Sequence, residues 1–589
     1  MCGIAGLAMR QGATPDEAAL RAMARALTHR GPDGSGKHLA GNVGLAHTRL
    51  AIIDLATGDQ PLFAGPAALV ANGEVYNYLE LRADNALATT TNSDCEPPLH
   101  LYRRDGLAGF AGAMRGMYAI ALHDRAARRL VLTRDPFGIK PLYVAQVEGG
   151  LAFASEPRAL LASGLVRPRL RAEAREELLQ LQFTTGPATI FDGISRVLPG
   201  ESLVVADGAI IERHRRAALP EGGPEPIAEA DALARFDAAF EDSIRLHQRS
   251  DVPYGLFLSG GIDSGAVLAM MTRLADRPIR AFTARFDVPG AADEQQAAEA
   301  VAAATGAIHA TVTVTEQMVW RHLPEIVAAM DDPVADYAII PTWFLARRAR
   351  EDVKVVLSGE GGDELLAGYG RYRSAMRPWW LGGRRPRAGG AFDRVGDVLR
   401  APLAGWRDGF AAAEAASATP GRTRLMAVQA ADIAEWLPND LLLKLDRCLM
   451  AHGVEGRTPF LDPAIAAACW RLPDGLKVRG RTGKWLLREW LSRNLPAARP
   501  FAPKQGFTVP VAAWIASVGD RLGPLVAAQP GVAEIAQPDR VAALFRAAGA
   551  DKHRGFAAWH LLFYALWHRA HVEGLPTDGD VWQVLGQRG

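Results

Sequence analysis

The chain has 589 residues, several times the usual size of one domain, so at least two domains are expected. Hydrophobic residues make up 49% and charged residues 22%, which excludes extended disorder, collagen-like repeats and a coiled-coil rod. Lys and Arg total 66 against 65 Asp and Glu, so no bulk positive field marks the chain for nucleic acid or an anionic membrane, and neither is expected as a partner.

Up to about residue 215, the runs GLAHTRLAIIDL, ALVANGEVYN, MYAIALHD, RLVLTRD, PLYVAQ and LAFAS are apolar or alternating and are broken by Gly, Asn, Asp or Pro. They read as short strands of a sheet-rich domain, residues 2–215. From Ala217, AALPEGGPEPIAEADA crowds Pro and Gly into a short span and marks a linker over 216–230. Beyond it the pattern changes. DALARFDAAFEDSIRLH predicts a helix, YGLFLS a buried strand, GAVLAMMTRLA a helix, IRAFTARF a strand, DEQQAAEAVAAATG a helix and VKVVLS a strand. Such alternation predicts a parallel α/β sheet in a second domain, 231–589, whose part after about Tyr372 reads as mostly helical.

The four cysteines, Cys2, Cys95, Cys448 and Cys469, lie far apart without CxxC or Cys/His ligand spacing, which argues against a zinc site or a disulfide scaffold. No uncharged apolar run approaches the roughly 18 residues of a membrane span, and the first residues lack the profile of a signal peptide, so a cytoplasmic location is expected. Only 8 of the 66 basic residues are Lys, which makes a Lys inside a motif informative.

Cys2 becomes the N-terminal residue once Met1 is removed, and its own α-amino group can then serve as the base that generates the thiolate. Taken alone, it reads better as a small buried residue near a chain end. An enzyme that hydrolyses glutamine through a thioester also needs an oxyanion hole, a cation for the carboxylate and an anion for the ammonium. Arg49 in His47–Asp54, the triplet Asn72-Gly73-Glu74, and Asp94 supply such groups, although singly they read as a surface ion-pair partner, a hairpin turn and a helix N-cap. Together with Arg30-Gly31-Pro32-Asp33, the run Arg134–Tyr143 and Phe153-Ala154-Ser155-Glu156, they resemble the glutaminase domain of class II amidotransferases, the N-terminal nucleophile fold. The resemblance implies an α+β domain of stacked antiparallel sheets between helices. It also implies Cys2 as nucleophile, the Asn72 side chain and Gly73 amide as oxyanion hole, Arg49 on the glutamine carboxylate, Glu74 and Asp94 on its ammonium, and Leu50, Ala51, Ile52 and Ile53 lining the same pocket.

In the second domain, Leu258-Ser259-Gly260-Gly261-Ile262-Asp263-Ser264 follows a strand and opens a helix. Two glycines let the backbone wrap phosphate oxygens, hydroxyls and the helix N-terminus donate to them, and Asp263 can hold Mg2+. The motif resembles the pyrophosphate loop of ATP pyrophosphatases. A second strand runs into Ser358-Gly359-Glu360-Gly361-Gly362-Asp363-Glu364, acids among glycines that at the end of a parallel strand face a ligand crevice. Glu455–Asp462, Lys484 in Gly483–Arg488 and Lys504 in Pro503–Phe507 follow.

In this order the segments resemble the synthetase domain of glutamine-hydrolysing asparagine synthetases. The resemblance implies conversion of aspartate to asparagine through a β-aspartyl-adenylate, with ATP as co-substrate and ammonia from glutamine crossing a shielded passage. Leu258, Ser259, Gly260, Gly261, Asp263, Ser264, Ala284, Ser358 and Gly359 would bind ATP. Asp263 and Asp363 would bind Mg2+, Lys484 would offset charge on the α-phosphate, and Glu360 would take a proton from ammonia. Two departures stand out: a short stretch from Arg82 to Asn92, and Asp336-Tyr337-Ala338-Ile339-Ile340 where many family members carry small hydroxyl residues or an Arg. The second keeps open an alternative, a related amidotransferase or cyclase acting on another carboxylate. Pyrophosphate loops also occur in tRNA-modifying proteins, but near-zero net charge and the lack of CxxC count against that. Oligomeric state is not readable from the sequence, a homodimer being one candidate.

Overall fold

The computed structural model describes residues 2–587 apart from 288–291, 382, 384 and 503–508, which leaves Lys504 outside the described residues. The first 215 residues build two six-stranded antiparallel sheets. One runs in the order β10 (Ile194–Arg196), β8 (Tyr143–Val147), β9 (Gly150–Ala154), β1 (Gly3–Met9), β3 (Val43–Arg49), β2 (Gly34–Ala40). The other runs β12 (Ala209–Arg215), β11 (Glu201–Ala206), β7 (Arg129–Arg134), β6 (Gly116–Asp124), β5 (Ala67–Val75), β4 (Leu62–Ala64).

Strand parity decides what faces what, because successive side chains point to opposite faces of a sheet. Ile4 and Ala8 of β1, Val43 and Leu45 of β3, and Ala68 and Val70 of β5 fill the core between the two sheets. The intervening Ala5, Leu7 and Ala46 face Leu20 and Met23 of the helix Glu17–Ala26, while Leu69 and Ala71 face Leu99 and Phe110 of the helix Glu96–Ala113. Two stacked sheets between helices result, as the resemblance implied. Continued by one step, the same parities turn Cys2, Arg49 and Asn72 toward the gap between the sheets.

The second half contains a five-stranded parallel sheet in the order β15 (Ile308–Val314), β14 (Arg280–Phe286), β13 (Tyr254–Phe257), β16 (Val355–Leu357), β17 (Glu455–Arg457). The expected helices appear at Glu229–His247, Ile262–Leu274 and Ala292–Thr305. β15 and β17 were not expected as strands. Ile308-His309-Ala310-Thr311 mixes polar residues into an edge strand, and Glu455-Gly456-Arg457 is too short and too charged to read as buried. The chain winds outward from β13 through β14 to β15, then returns to β16 on the other side, so β13 and β16 flank a switch point where ligand crevices form.

The remainder is helical. The helix Lys552–His571 buries Trp559 and Trp567, whose indole N–H groups donate to Ala335 O at 2.6 Å and Met330 O at 2.8 Å. The helix Leu442–Met450 is buried along its whole length between the halves of the molecule. Among the described residues, no helix is long and apolar enough to cross a membrane.

Candidate active sites

Cys2 is buried just ahead of β1, and its amide donates to Asn72 Oδ1 at 3.2 Å across the gap between the sheets. Asn72 and Gly73 lie inside β5, not in a hairpin turn. Orienting Oδ1 toward Cys2 leaves Asn72 Nδ2 buried with no hydrogen-bond partner, a state that fits a donor awaiting an oxyanion. Gly73 has φ +149, and a Cβ there would fall 2.0 Å from Met117 O, so only glycine allows this conformation beside β6. Burial pushes the Cys2 thiol above its ordinary range, while the Leu50 amide favours the thiolate.

The groups for an amino-acid head surround this point. Arg49 Nη1 meets Asp59 Oδ1 at 2.8 Å and Nη2 meets the Asp54 carbonyl, yet Asp59 itself is 81% exposed, so the guanidinium is fixed by backbone and closed off only by a carboxylate that water can release. Glu74 Oε2 is buried without a partner, and burial with Asp94 and Glu455 nearby holds its carboxyl well above the usual range. Asp94 caps no helix; its Oδ2 accepts from Val75 N at 2.7 Å, and burial raises it as well. Two buried acids that share only the Arg457 guanidinium, itself bonded to Glu455, fit the ammonium of a ligand.

At the switch point, Gly261 caps the helix Ile262–Leu274, and Gly260 has φ +67. Ser264 Oγ lies 3.1 Å from Ser259 Oγ and 3.2 Å from both Ser259 N and Gly261 O, closing the loop on itself. The neighbouring loop packs against it without room for side chains: a Cβ on Gly359 would lie 2.7 Å from Asp263 Cβ, and one on Gly362 2.4 Å from Asp263 Oδ1. Lys484 is buried, and its ammonium pairs with Asp263 and, at 2.6 Å, with Asp363 Oδ1. It caps the helix Trp485–Asn494 with φ +55, a left-handed conformation that costs a non-glycine residue of order 1 kcal/mol. Gly368 makes the triad possible, since a Cβ there would collide with Asp363 and Lys484.

Two carboxylates converging on one ammonium are a hard oxygen pair of the kind Mg2+ uses together with nucleotide phosphates. Among the described residues no group of three or more His, Cys, Asp or Glu could hold a metal, so the pair suits a cation completed by substrate rather than a resident one. Glu360 is partly open in the same loop, its amide donating to Ser358 Oγ at 3.3 Å. Burial raises its carboxyl, against the pull of Lys444, and Asp363, Asp336 and Asp263 add to the rise. Ala284 sits on β14, two residues beyond the end of its pairing with β13.

Reading the sequence gave no role to Arg30, Glu156, Asp446 or Gly368. Arg30 is fully buried; its Nε donates to Cys2 O at 3.1 Å and its Nη1 to Glu156 Oε1 at 2.7 Å. Arg457 of β17 lies 3.7 Å from Glu74 and bonds Glu455 at 2.6 Å, bringing the parallel sheet up to the glutamine pocket. Arg30, Glu156 and Arg457 sit in motifs without an assigned chemistry, whereas Asp446 and Gly368 lie in none.

Two antiparallel sheets carrying a buried thiol, joined to a parallel sheet carrying a Ser–Gly loop, define an amidotransferase coupled to a nucleotide-dependent ligase. The chain belongs to the asparagine synthase family: the asparagine synthase model matches residues 235–569, more than half of the chain, and a glutamine amidotransferase domain model matches residues 1–215. A putative glutamine-hydrolysing asparagine synthetase of Mycobacterium tuberculosis is 36% identical over 97% of this chain and 98% of its own length. Glutamine-hydrolysing asparagine synthetase 1 of Bacillus subtilis is 30% identical over 97% of each chain, and asparagine synthetase B of Escherichia coli 28% identical over 84% of this chain and 79% of its own.

Proposed function

We propose that the protein makes asparagine from aspartate, ATP and ammonia released from glutamine, in two reactions housed at opposite ends of the Arg30 contact. Residues 2–215 are assigned to glutamine hydrolysis, 216–230 to a linker and 231–589 to the synthetase. The observation that carries this reading is the coexistence of a buried thiol facing an unbonded amide donor with a second site where two carboxylates converge on one lysine.

In the first reaction Arg49 exchanges Asp59 for the glutamine carboxylate, and Glu74 with Asp94 takes the ammonium. The Cys2 sulfur attacks the side-chain amide carbon as its proton passes to the α-amino group freed by removal of Met1. Asn72 Nδ2 and the Gly73 amide hold the oxyanion, ammonia leaves, and water releases glutamate from the thioester.

In the second reaction a carboxylate oxygen of aspartate attacks the α-phosphorus of ATP and pyrophosphate departs. The Ser259–Ser264 loop holds the phosphates and Lys484 offsets the charge that develops on them. Asp263 and Asp363 are the residues that would hold Mg2+, which would neutralise phosphate charge when bound. Ammonia then attacks the acyl carbon, Glu360 accepts its proton, and AMP leaves with asparagine formed. The substrates are three small molecules, and we take the protein to act in the cytoplasm as a homodimer.

An acceptor screen read by AMP release, with glutamine and Mg-ATP present, tests the reading. Aspartate is expected to give AMP and asparagine in equal amounts. AMP release with a different carboxylate and none with aspartate would overturn it.

A further inference from the structure

Between the loop 385–394 and the first half of the helix Lys552–His571 lies a cavity of about 780 Å³, lined by none of the residues assigned to the two reactions. His553, Phe556 and His560 follow one another at the spacing that puts side chains on one helix face, and all three line the cavity. The loop, with Arg385 and Arg394, forms the opposite wall. At 1.5 Å per residue, His553 and His560 stand about 10 Å apart along the helix axis, which gives the cavity two ends.

One end carries surplus positive charge. The exposed Arg385, Arg394 and Lys552 gather there beside His553. Arg394 Nη1 donates to His553 Nε2 at 3.4 Å, one basic side chain to another, and among the described residues neither Arg394 nor Lys552 forms an ion pair. Arg385 pairs with Glu414 at 2.6 Å, but Glu414 also takes Arg407 at 2.6 Å, so one carboxylate serves two guanidinium groups. The acid on the cavity wall, Asp393, is tied to its own surroundings, accepting from Gly390 N at 2.8 Å and from Gln180 Nε2 at 3.4 Å. The other end is a buried acceptor. His560 is 4% exposed; its Nδ1 donates to Leu179 O at 2.7 Å, which fixes the tautomer and leaves Nε2 a lone pair without a hydrogen-bond partner. Burying an unpaired acceptor costs free energy that a donor on a ligand recovers.

We propose that this cavity is a second ligand site, built for the phosphate ester of a small polyol, with the phosphate on Arg394, Lys552 and Arg385 and a hydroxyl donating to His560 Nε2. Several cations around one point suit a dianion with three acceptor oxygens better than a single carboxylate. A bare phosphate satisfies the charged end but does not span the distance to His560, and a neutral polyol reaches His560 while leaving the charge unanswered. Phe556, held by stacking on Tyr337 at 5.8 Å, lies between the two ends and packs against the carbon skeleton.

The test measures binding of ribose 5-phosphate, inorganic phosphate and ribose by calorimetry to the full-length protein, with Mg2+ and a non-hydrolysable ATP analogue filling the nucleotide loop. Ribose 5-phosphate is expected to bind at least tenfold more tightly than either fragment. Arg394→Ala, a change on an exposed loop, should weaken that binding at least tenfold and leave binding of the ATP analogue as it was. His560→Phe, checked for folding by thermal unfolding, should bring ribose 5-phosphate down toward inorganic phosphate; should that variant not fold, the Arg394 variant and the three ligands decide the matter. Binding of the three ligands within threefold of one another, binding of none of them, or wild-type affinity in Arg394→Ala overturns the inference.

Discussion

Arg30 grips both carboxylate oxygens of Asp446, at 2.7 and 3.0 Å, with the same guanidinium that donates to the carbonyl of Cys2. Asp446 lies two residues from Lys444, so one buried helix reaches the Cys2 backbone through Arg30 at one point and the surroundings of Glu360 at another. Breaking a buried pair by removing one partner costs about 3–5 kcal/mol because a charge is left uncompensated. Asp446→Asn should therefore lower the thermal midpoint and reduce glutamine-dependent synthesis at least tenfold, with a smaller loss of ammonia-dependent synthesis. Comparing the two activities at a temperature where the variant is folded checks this. Equal losses would mean that the pair stabilises the fold without positioning Cys2.

Cys2→Ala should abolish glutamine-dependent product and leave ammonia-dependent synthesis largely intact, because the thiol serves only to release ammonia. Both activities are measured on the folded variant, and parallel loss of the two would contradict separate sites.

Arg49→Lys should raise the glutamine KM far more than it changes ammonia-driven turnover. A planar guanidinium binds a carboxylate bidentately and an ammonium does not, and a charge-assisted hydrogen bond is worth roughly 1.5–3 kcal/mol. Steady-state kinetics with glutamine and with ammonium chloride decide the point; an unchanged glutamine KM removes Arg49 from the carboxylate.

Glu360 and Asp363 share one loop yet should fail differently. Asp363→Asn loses one of the two carboxylates that meet Lys484, so acceptor-dependent ATP/pyrophosphate exchange should disappear with product. Glu360→Gln should keep more exchange than amide synthesis, since the proton acceptor is needed when ammonia attacks. Both should still hydrolyse glutamine. Exchange at the wild-type rate in Asp363→Asn would discard its metal role, and intact amide synthesis in Glu360→Gln would discard the base.

Glu435 gives a pH-dependent stability with a definite sign. Its Oε2 accepts from Gly186 N at 2.7 Å and Asn439 Nδ2 at 2.9 Å, and burial pushes its pKa from 4.5 up to about 7. Below 4.5 the group is protonated whether the chain is folded or not, so it carries no penalty there. Between 4.5 and about 7 the unfolded chain ionises first while the folded one keeps its proton, so stability falls as pH rises. Glu435→Gln removes that slope. Thermal midpoints of both proteins across this window should converge at the acid end and favour the variant near neutrality; parallel curves would show that Glu435 is not held neutral by the fold.

Local pattern alone determined the alternating strands of the first half, the helices Glu229–His247 and Ile262–Leu274, and the strand-to-helix turns around Asp263 and Glu360. Period and turn chemistry act over a few residues, so they are legible without partners, and strand parity already turns Cys2, Arg49 and Asn72 toward one gap. Tertiary structure decided the rest. Asp94, read singly, looked like an N-cap, and nothing nearby in sequence shows that Val75 lies against it or that Asp263 and Asp363 converge on Lys484. β17 is three residues long and charged, and becomes a strand only because β16 supplies its hydrogen bonds and a buried Arg457 satisfies Glu455. Arg30 and Asp446 are 416 residues apart, and their bidentate contact exists only once both halves exclude water around it. Interactions of that range depend on desolvation and on exact opposition of surfaces, quantities that arise from packing and have no local signature in the chain.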